Sequence, residues 1–413
     1  MFLVIIIPFF LLNYTVQSKV VIKEKRPIII AHRGAPAHLP ELTIPSEALS
    51  YGFDADIIEI DICLSKDDQL IVIHDLYLDS VTNVRNLFPS NRNRSNGLHY
   101  VIDFTLSELR TLSIHERFNY DTGKQIYPKR FPSAVWPSSF KLSTLNETLE
   151  LLLGLNYATN KVKDLLIEIK KPEFHEENGK LISKILLELL NSYNITKQTD
   201  PVIIQTFHIP ELYRIRNDYQ SNLRLFALFT WNFINESSTD YDIYRSEAGI
   251  KNLSTIVQAI TPIYEFLVEF NENGLFESKT NLTDLAHKYN LAVYPFTFRE
   301  DNLGKYKGTF IEFVNYFWNI IQIDGFITDH SNLLIEHVRK LSTNSDPNPS
   351  TAQYGLRKPR IVEETVYLKP TTVERPVQTV SRPIVKETIY LPERQQPTTT
   401  TTTSVGLLCC IKL

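Results

Sequence analysis

The feature that most constrains the fold of this chain is an alternation of short, apolar, β-branched runs with longer segments of helical spacing. Buried strands that alternate with helices are typical of a parallel α/β fold. The number of runs over about 310 residues suits a single (β/α)₈ TIM barrel better than two Rossmann-like domains. The runs that predict strands include Pro27–Ala31, Ile57–Ile62, Leu165–Ile169, Val202–Gln205, Leu223–Leu228, Leu291–Pro295 and Gly325–Thr328.

One connection departs from this alternation. The segment Leu64–Leu70 carries the turn SKDDQ between two apolar strands, and a link this short cannot make a parallel crossover. We therefore expect Ile71–His74 to return antiparallel to Ile57–Ile62, as a hairpin at the C-terminal rim of the barrel. The residues that follow are rich in Asn, Arg, Ser and Pro. They predict a small insertion after the second strand, over residues 63–141, that caps the site.

The N-terminal residues form an apolar run, FLVIIIPFFLL at 2–12, which is too short to span a bilayer comfortably. Val16 and Ser18 follow as small residues before a cleavage point, so residues 1–18 predict a secretory signal peptide, although a basic n-region is missing. An uncleaved N-terminal anchor is the alternative. Six sequons add to the signal in predicting a secreted or cell-surface glycoprotein: Asn93, Asn146, Asn194, Asn235, Asn252 and Asn281.

The composition changes after the domain predicted over residues 19–340. Residues 341–413 are dominated by Pro, Thr and charged residues, and they contain related decapeptides at 361–370 and 384–393 and six threonines at 398–403. Two copies are too few for a solenoid. We therefore expect a disordered low-complexity tail, through which the protein could associate with a cell surface.

Overall composition narrows the class of protein. A net charge of −4 gives no bulk attraction to nucleic acid, and we find no nucleic-acid recognition motif. The three cysteines, Cys63, Cys409 and Cys410, provide no disulfide framework, so an apolar core must hold the fold together. The sequence leaves the oligomeric state open.

Three acidic residues on predicted strands indicate a metal site. Glu59 and Asp61 are two positions apart and so face the same side of one strand, and Glu168 lies on another. Burying like charges together is costly unless a cation compensates, and oxygen ligands suit Ca²⁺ or Mg²⁺. Zn²⁺ is disfavoured because no Cys/His cluster accompanies the carboxylates. The alternative is that one carboxylate pairs with Arg or Lys.

Histidines and cationic residues end the same strands. His32 and Arg33 directly follow the strand IIIA, where catalytic groups of a barrel project, and the predicted hairpin brings His74 to the same end. A histidine can exchange a proton near neutral pH, and Arg33 and Lys170 can contact phosphate. A structural His-Arg pair, a surface histidine and a simple charge pair between Glu168 and Lys170 are the alternatives. Taken jointly, these groups suit metal-assisted phosphoryl transfer.

Longer motifs keep one order along residues 27–340: IIAHRGAPAHLPELT, GFDADIIEIDICLSKDDQLIVIHD, IDFTLSEL, LLIEIKKPEFH, IIQTFH, YPFTFRED and GFITDH. In this order they resemble the glycerophosphodiester phosphodiesterases of the periplasmic bacterial type. The resemblance does not extend to the tail, and Cys63 is expected to be a packing residue.

The resemblance implies roles for individual residues. It makes His32 and His74 the acid/base pair, assigns the metal to Glu59, Asp61 and Glu168, and assigns phosphate contacts to Arg33 and Lys170. Gln205 and Phe207 would line the pocket, and Glu41 would lie near it. Among the other histidines and arginines, His208 and Arg299 are the ones most expected to reach the substrate.

The resemblance also implies a reaction. It is the metal-dependent hydrolysis of glycerophosphodiesters such as glycerophosphocholine to sn-glycerol 3-phosphate and an alcohol, with the glycerol 2-hydroxyl as first nucleophile. A phospholipase D-like activity on lysophospholipids or sphingomyelin is one alternative, and it would need an apolar groove. A surface glycoprotein that kept the fold and lost turnover is the other.

Overall fold

The structure is a computed structural model, and it describes residues 26–119, 122, 124–127, 130 and 139–343. The predicted signal peptide lies outside the described residues, as does the predicted tail apart from residues 341–343, which end the last helix. Among the residues described, no helix is both long and apolar enough to cross a bilayer.

Eight parallel strands form a nearly closed barrel, which confirms the predicted fold class. The strands are β1 (Ile28–Ala31), β2 (Ile57–Leu64), β3 (Leu70–Val72), β4 (Asp164–Ile169), β5 (Val202–Thr206), β6 (Arg224–Phe229), β7 (Ala259–Pro262), β8 (Val268–Phe270), β9 (Phe276–Lys279), β10 (Ala292–Val293) and β11 (Gly325–Thr328). The barrel strands run in the order β10-β7-β6-β5-β4-β2-β1-β11, and backbone hydrogen bonds from Asp324 to Val293 and from Phe298 to Ile327, both about 3 Å, join the two ends.

One barrel strand is absent from the predicted runs, and another is less than half as long as predicted. β7 has the sequence AITP, which is too short to stand out by pattern, and its parallel pairing with β6 and β10 establishes it as a strand. The run Leu291–Pro295 pairs as a strand only at Ala292 and Val293. β8 and β9 pair with each other as a separate antiparallel ribbon.

The helices are α1 (Ile44–Phe53), α2 (Val84–Leu87), α3 (Leu106–Leu109), α4 (Leu145–Thr159), α5 (Pro172–Glu177), α6 (Ile182–Ser192), α7 (Ile209–Tyr213), α8 (Tyr241–Arg245), α9 (Glu247–Leu253), α10 (Leu282–Lys288), α11 (Phe310–Tyr316) and α12 (Ser331–Thr343). Most of them cover the outside of the barrel, whereas α2 and α3 belong to the insertion. The apolar faces of the longer helices pack on the strands in the main hydrophobic cluster.

The interior of the barrel is layered. Its floor is an apolar cluster that takes one residue from each of seven strands: Ile30, Ile57, Leu166, Ile203, Phe226, Ala259 and Ile327. Because side chains alternate along a strand, the next inward positions above Ile57 and Leu166 are Glu59 and Glu168. The polar layer therefore lies toward the carboxyl ends of the strands, above the apolar layer.

The short connection after β2 forms an antiparallel hairpin, in which Ile62 pairs with Val72 and Leu64 with Leu70. The residues beyond it have a small core of their own, where Cys63, a buried free thiol, packs with Ile71, Phe104 and others. This second core allows the insertion to hold its shape beside the barrel mouth.

A buried carboxyl in α1 predicts a pH-dependent stability. Glu47 is 1% exposed, and its carboxyl has one hydrogen bond, from Thr148 at 2.9 Å. Burial raises the pKa of Glu47 to about 7 from an ordinary value of 4.5. Between these two pH values the folded state keeps a proton that the unfolded chain releases. The ionisation of Glu47 therefore leaves the free energy of unfolding unchanged below pH 4.5 and lowers it increasingly as the pH rises to 7.

We therefore expect Glu47→Gln to raise the free energy of unfolding by up to about 3 kcal/mol at about pH 8, and to change it little at about pH 4. The amide still accepts the Thr148 hydrogen bond without ionising. Urea unfolding at both pH values would measure this, with Glu150→Gln at an exposed position of α4 as the matched control. An equal effect of Glu47→Gln at the two pH values would contradict it.

Candidate active site

Three buried carboxylates face one another at the carboxyl ends of β2 and β4. Oxygens of Glu59, Asp61 and Glu168 lie within 4.8 Å of one another. The register of the parallel strands places Asp61 beside Glu168, since they are paired positions. The predicted trio therefore converges, and it does so because two inward-facing positions on β2 meet one on β4.

Burial and mutual repulsion perturb these acids strongly. Burial, with the Asp61 and Glu168 charges, raises the pKa of Glu59 well above its usual range. Burial also raises the pKa of Glu168 to about 8, against the opposing charge of Lys170. The pKa of Asp61 is lowered despite its burial, because His74, Lys170 and Arg33 stabilise its charge. The neighbouring cationic side chains are therefore too few to keep all three carboxyl groups ionised.

The donor set fits a hard divalent cation. Both carboxylate oxygens of Asp61 are buried and have no hydrogen-bond partner, which is costly unless a cation takes them. Glu59 accepts a hydrogen bond from the backbone N–H of Arg33 at 2.8 Å and one from Gln205 at 3.5 Å. Oxygen ligands without Cys or His suit Ca²⁺ or Mg²⁺. Glu59, Asp61 and Glu168 would hold such an ion.

The predicted alternative of a simple charge pair also exists within this cluster. Lys170 Nζ donates to Glu168 at 2.6 Å and lies 3.8 Å from Asp61 and 4.0 Å from Glu236. It also lies over the ring of Phe207, 5.5 Å from the centroid. One lysine neutralises only part of three carboxylates, so the pair and the proposed metal site are compatible.

Each predicted catalytic histidine is held by an aspartate. His32 Nδ1 lies 2.6 Å from Asp329, which follows β11, and His74 Nδ1 lies 2.6 Å from Asp75. A carboxylate at Nδ1 fixes the ring and leaves Nε2 for chemistry. Nε2 of His74 is 3.2 Å from Lys170 Nζ. Burial, with the charges of Arg33 and Lys170, lowers the pKa of His74 to about 4, so His74 is neutral at pH 7.

Arg33 lies between the carboxylates and the open side of the mouth. Its backbone adopts a positive φ of 53°, which turns the chain sharply at the strand end. Its side chain donates to Glu41 at 3.1 Å, and its Nε is 3.6 Å from Asp61. This Nε has no hydrogen-bond partner, so the guanidinium keeps donor capacity for an anion.

A cavity of about 190 Å³ opens beside His32, between the barrel mouth and the insertion. It is lined by His32, Arg33, Pro36, Glu41, Glu116, Arg117, Ile126, Tyr127, Thr297, Arg299 and Asp329. Glu41 and Arg299 thus line the cavity beside His32, and the contact of Arg299 with the substrate stays a prediction. His208 instead lies 2.9 Å from Glu173 and is not among the residues that line the cavity.

Sequence reasoning assigned no role to Asp75, Asp329 or Arg117. Asp75 directly follows His74, so adjacency was the available signal for that pair. Asp329 precedes His330 but holds His32, which is 297 positions away, so adjacency gave no signal for the second pair. Arg117 gave no such signal, because it comes from the insertion and its partners, Glu41 and Asp75, are distant in sequence.

The fold and the site define a (β/α)₈-barrel hydrolase with its reaction centre at the carboxyl ends of the strands. The model of the glycerophosphoryl diester phosphodiesterase family matches residues 32–333. A glycerophosphodiester phosphodiesterase of Haemophilus influenzae is 34% identical over 332 residues, covering 76% of this chain and 90% of the relative. The chain therefore belongs to the glycerophosphoryl diester phosphodiesterase family, as its motifs predicted.

Solved structures agree with the fold. A structure from Silicibacter pomeroyi, assigned to the same family, has a TM-score of 0.55 at 19% identity and covers 75% of this chain and 93% of its own. A phosphodiesterase of Oleispira antarctica, solved with the product sn-glycerol-3-phosphate, has a TM-score of 0.51 at 18% identity, with 76% and 97% covered. At these identities the likeness establishes the barrel.

Proposed function

We propose that this enzyme hydrolyses glycerophosphodiesters, such as glycerophosphocholine, to sn-glycerol 3-phosphate and an alcohol, with a divalent cation and two histidines. The observation that carries the proposal is the convergence of three buried carboxylates, two carboxylate-held histidines and two cationic side chains in one barrel mouth. These groups match the needs of phosphoryl transfer, which are charge stabilisation and positioned proton transfer.

A divalent cation bound by Glu59, Asp61 and Glu168 would position phosphate and offset its developing charge. Arg33 offers donors to the phosphate oxygens, since its Nε lacks a hydrogen-bond partner. Lys170 lies beside the same carboxylates and can contact a phosphate oxygen. The chain thus provides two cationic groups beside the carboxylates that would hold the ion.

The two histidines divide the proton transfers. His74 is neutral because its pKa is about 4, and in this form it accepts the proton of the attacking 2-hydroxyl. His32, next to the Asp329 carboxylate, donates a proton to the leaving alcohol. In the second step, water opens the cyclic phosphate and the roles reverse. The OH of the water bonds to phosphorus, its other proton goes to His32 in place of the one given to the alcohol, and His74 returns the first proton to the 2-hydroxyl.

Turnover of glycerophosphocholine, followed by release of glycerol 3-phosphate, tests the proposal directly. Release in the presence of Ca²⁺ or Mg²⁺ is the expected result. Absence of turnover on glycerophosphodiesters of several headgroups would contradict it and would favour the silent surface glycoprotein.

Substitution of either histidine is expected to reduce turnover without loss of the fold. His32→Ala and His74→Ala should each lower kcat about 10²- to 10⁴-fold, the usual contribution of a general acid or base. His337→Ala is the matched control, since His337 of α12 bonds Asn315 of α11 and is not among the residues that line the cavity. If His74→Ala stays within about twofold of wild type, its assigned role is wrong.

A second candidate activity, on lysophospholipids, is favoured by one observation. Three exposed apolar residues follow the end of β6: Trp231, Phe233 and Ile234, which are 38%, 79% and 47% exposed. This rim patch adjoins the site, because the next residues approach it: Asn235 O accepts from Lys171 and Glu236 lies 4.0 Å from Lys170. An acyl chain on the glycerol would find apolar surface there.

If the patch binds an acyl chain, Phe233→Ser should lower kcat/KM for lysophosphatidylcholine about tenfold or more, since burying such a side chain contributes about 1.5–3 kcal/mol. Turnover of glycerophosphocholine should stay unchanged. Ile320→Ser removes an apolar residue of 41% exposure elsewhere and serves as control. Equal losses on both substrates, or no turnover of lysophosphatidylcholine by wild type, would reject this candidate.

We also propose that the protein is secreted or displayed at the cell surface as a glycoprotein. Four sequon residues are exposed in the structure, namely Asn194, Asn235, Asn252 and Asn281, so they are accessible to glycosylation. Attachment through the C-terminal segment is part of this proposal. A shift in electrophoretic mobility after treatment with peptide N-glycosidase would support it, and recovery of an unglycosylated protein from cytosol would oppose it.

A further inference from the structure

We propose that Arg117 of the insertion is a positioning residue for the reaction, which holds His74 and Arg33 in one fixed arrangement through two carboxylates. The inference rests on the proposed function, because that function gives His74 the proton transfer and Arg33 the phosphate contact.

Arg117 bridges two acids that belong to different parts of the site. Its Nη1 donates to Asp75 at 2.6 Å, while its Nη2 and Nε donate to Glu41 at 2.7 and 3.0 Å. The arginine side chain is 17% exposed, and the two carboxylates are 9% and 10% exposed. These are charge-assisted hydrogen bonds with little competition from water, so their geometry is well defined.

The first arm of the bridge leads to His74. Asp75 uses Oδ1 to hold Nδ1 of His74 at 2.6 Å and Oδ2 to accept from Arg117 and from Ser80, at 2.6 and 2.8 Å. With Oδ2 occupied, the carboxylate cannot rotate without losing hydrogen bonds. The His74 ring is therefore fixed with Nε2 directed away from Asp75.

The second arm leads to Arg33. Glu41 accepts from Arg117 and, at 3.1 Å, from Arg33 Nη1. The same Arg33 guanidinium has its Nε 3.6 Å from Asp61. Glu41 thus holds the Arg33 guanidinium between itself and the carboxylate cluster, and Arg117 determines where Glu41 lies.

Charge balance explains why an arginine is needed here. Glu41 and Asp75 are two buried anions, which Arg33 and Arg117 neutralise. Without Arg117, Glu41 would have Arg33 as its remaining cationic partner among the contacts described, and we expect it to draw that side chain from the phosphate. A lysine side chain has a single nitrogen, so it cannot donate to Glu41 and Asp75 from separate nitrogens of a planar group as Arg117 does.

The test compares Arg117→Ala, Arg117→Lys and a control in the full-length enzyme with glycerophosphocholine. A displacement of reacting groups by about 1 Å costs about a hundredfold in rate. We expect Arg117→Ala to lower kcat about ten- to hundredfold, to bind Ca²⁺ as wild type does, and to regain part of its rate in millimolar guanidinium. Arg117→Lys should be intermediate.

The control is Arg110→Ala. Arg110 also fastens the insertion to the barrel side, through Leu142 O at 2.9 Å and Glu147 at 2.8 Å, but those contacts do not include the histidines or carboxylates of the site. Its kcat should stay within about twofold of wild type. An equal loss of kcat in Arg110→Ala would show that turnover requires only the attachment of the insertion to the barrel, and would overturn the proposal.

A wild-type rate in Arg117→Lys would also overturn it, and this variant decides the matter should Arg117→Ala fail to fold. Failure of the proposed function looks different. In that case the wild-type enzyme itself would not turn over glycerophosphodiesters.

Discussion

Chelation of divalent cations is expected to abolish turnover, and addition of Ca²⁺ or Mg²⁺ to restore it. The reason is the buried trio of Glu59, Asp61 and Glu168, whose oxygens lie within 4.8 Å of one another while those of Asp61 have no hydrogen-bond partner. Without a cation, burial drives protons onto Glu59 and Glu168. Ion binding should therefore release protons as well as support activity.

Asp61→Asn separates loss of the ion from general damage. It keeps the side-chain shape but removes a charge, so calorimetric titration should show much weaker Ca²⁺ binding and the rise in Tm on adding Ca²⁺ should disappear. A ligand at a hundred times its Kd stabilises by about 2.7 kcal/mol, which a melting curve resolves. Asp164→Asn, at the opposite end of β4 and paired with Arg224, is the control. Full activity in protein shown to be free of metal would refute the prediction.

The second large effect concerns the substrate. A 2-deoxy glycerol analogue of the phosphodiester is expected to bind but to be hydrolysed at least about a hundredfold more slowly, because a well-oriented neighbouring hydroxyl acts with an effective concentration on the order of 10⁵ M or more. Expressed as activation free energy, the loss should greatly exceed that of one missing hydrogen bond, which is about 1 kcal/mol.

The site supports this expectation by what it contains. Its central groups are the three carboxylates, the two histidines that carry protons, and the cations Arg33 and Lys170. Rates of the two substrates would be compared with one enzyme preparation at saturating metal. Equal rates would indicate direct attack by water and would give the histidine that we assign to the 2-hydroxyl the task of activating that water.

The sequence was sufficient to predict those parts of the site that depend on local periodicity. Spacing of two along a strand placed Glu59 with Asp61, and the short turn after β2 returned His74 to the same rim. The register between β2 and β4 sets Asp61 beside Glu168. The apolar pattern alone does not determine this register, because β4 shifted along β2 would show the same pattern. Local pattern was therefore a good guide to which face a residue occupies.

Contacts between distant segments were beyond such reasoning. The approach of Arg117 to Glu41 joins positions 76 residues apart, and it depends on how the insertion packs against the mouth. β7 was missed for a related reason, since AITP is a strand only because β6 and β10 flank it. The ion pair of His208 with Glu173 of α5, at 2.9 Å, is another contact between separate segments, and the approach of His208 to the substrate stays a prediction.

The pairing of His32 with Asp329 spans 297 positions and links the first barrel strand to the last. A nascent chain therefore cannot assemble this histidine until the final strand has been synthesised, whatever earlier parts have already folded. Appearance of activity would consequently report completion of the barrel rather than growth of the polypeptide.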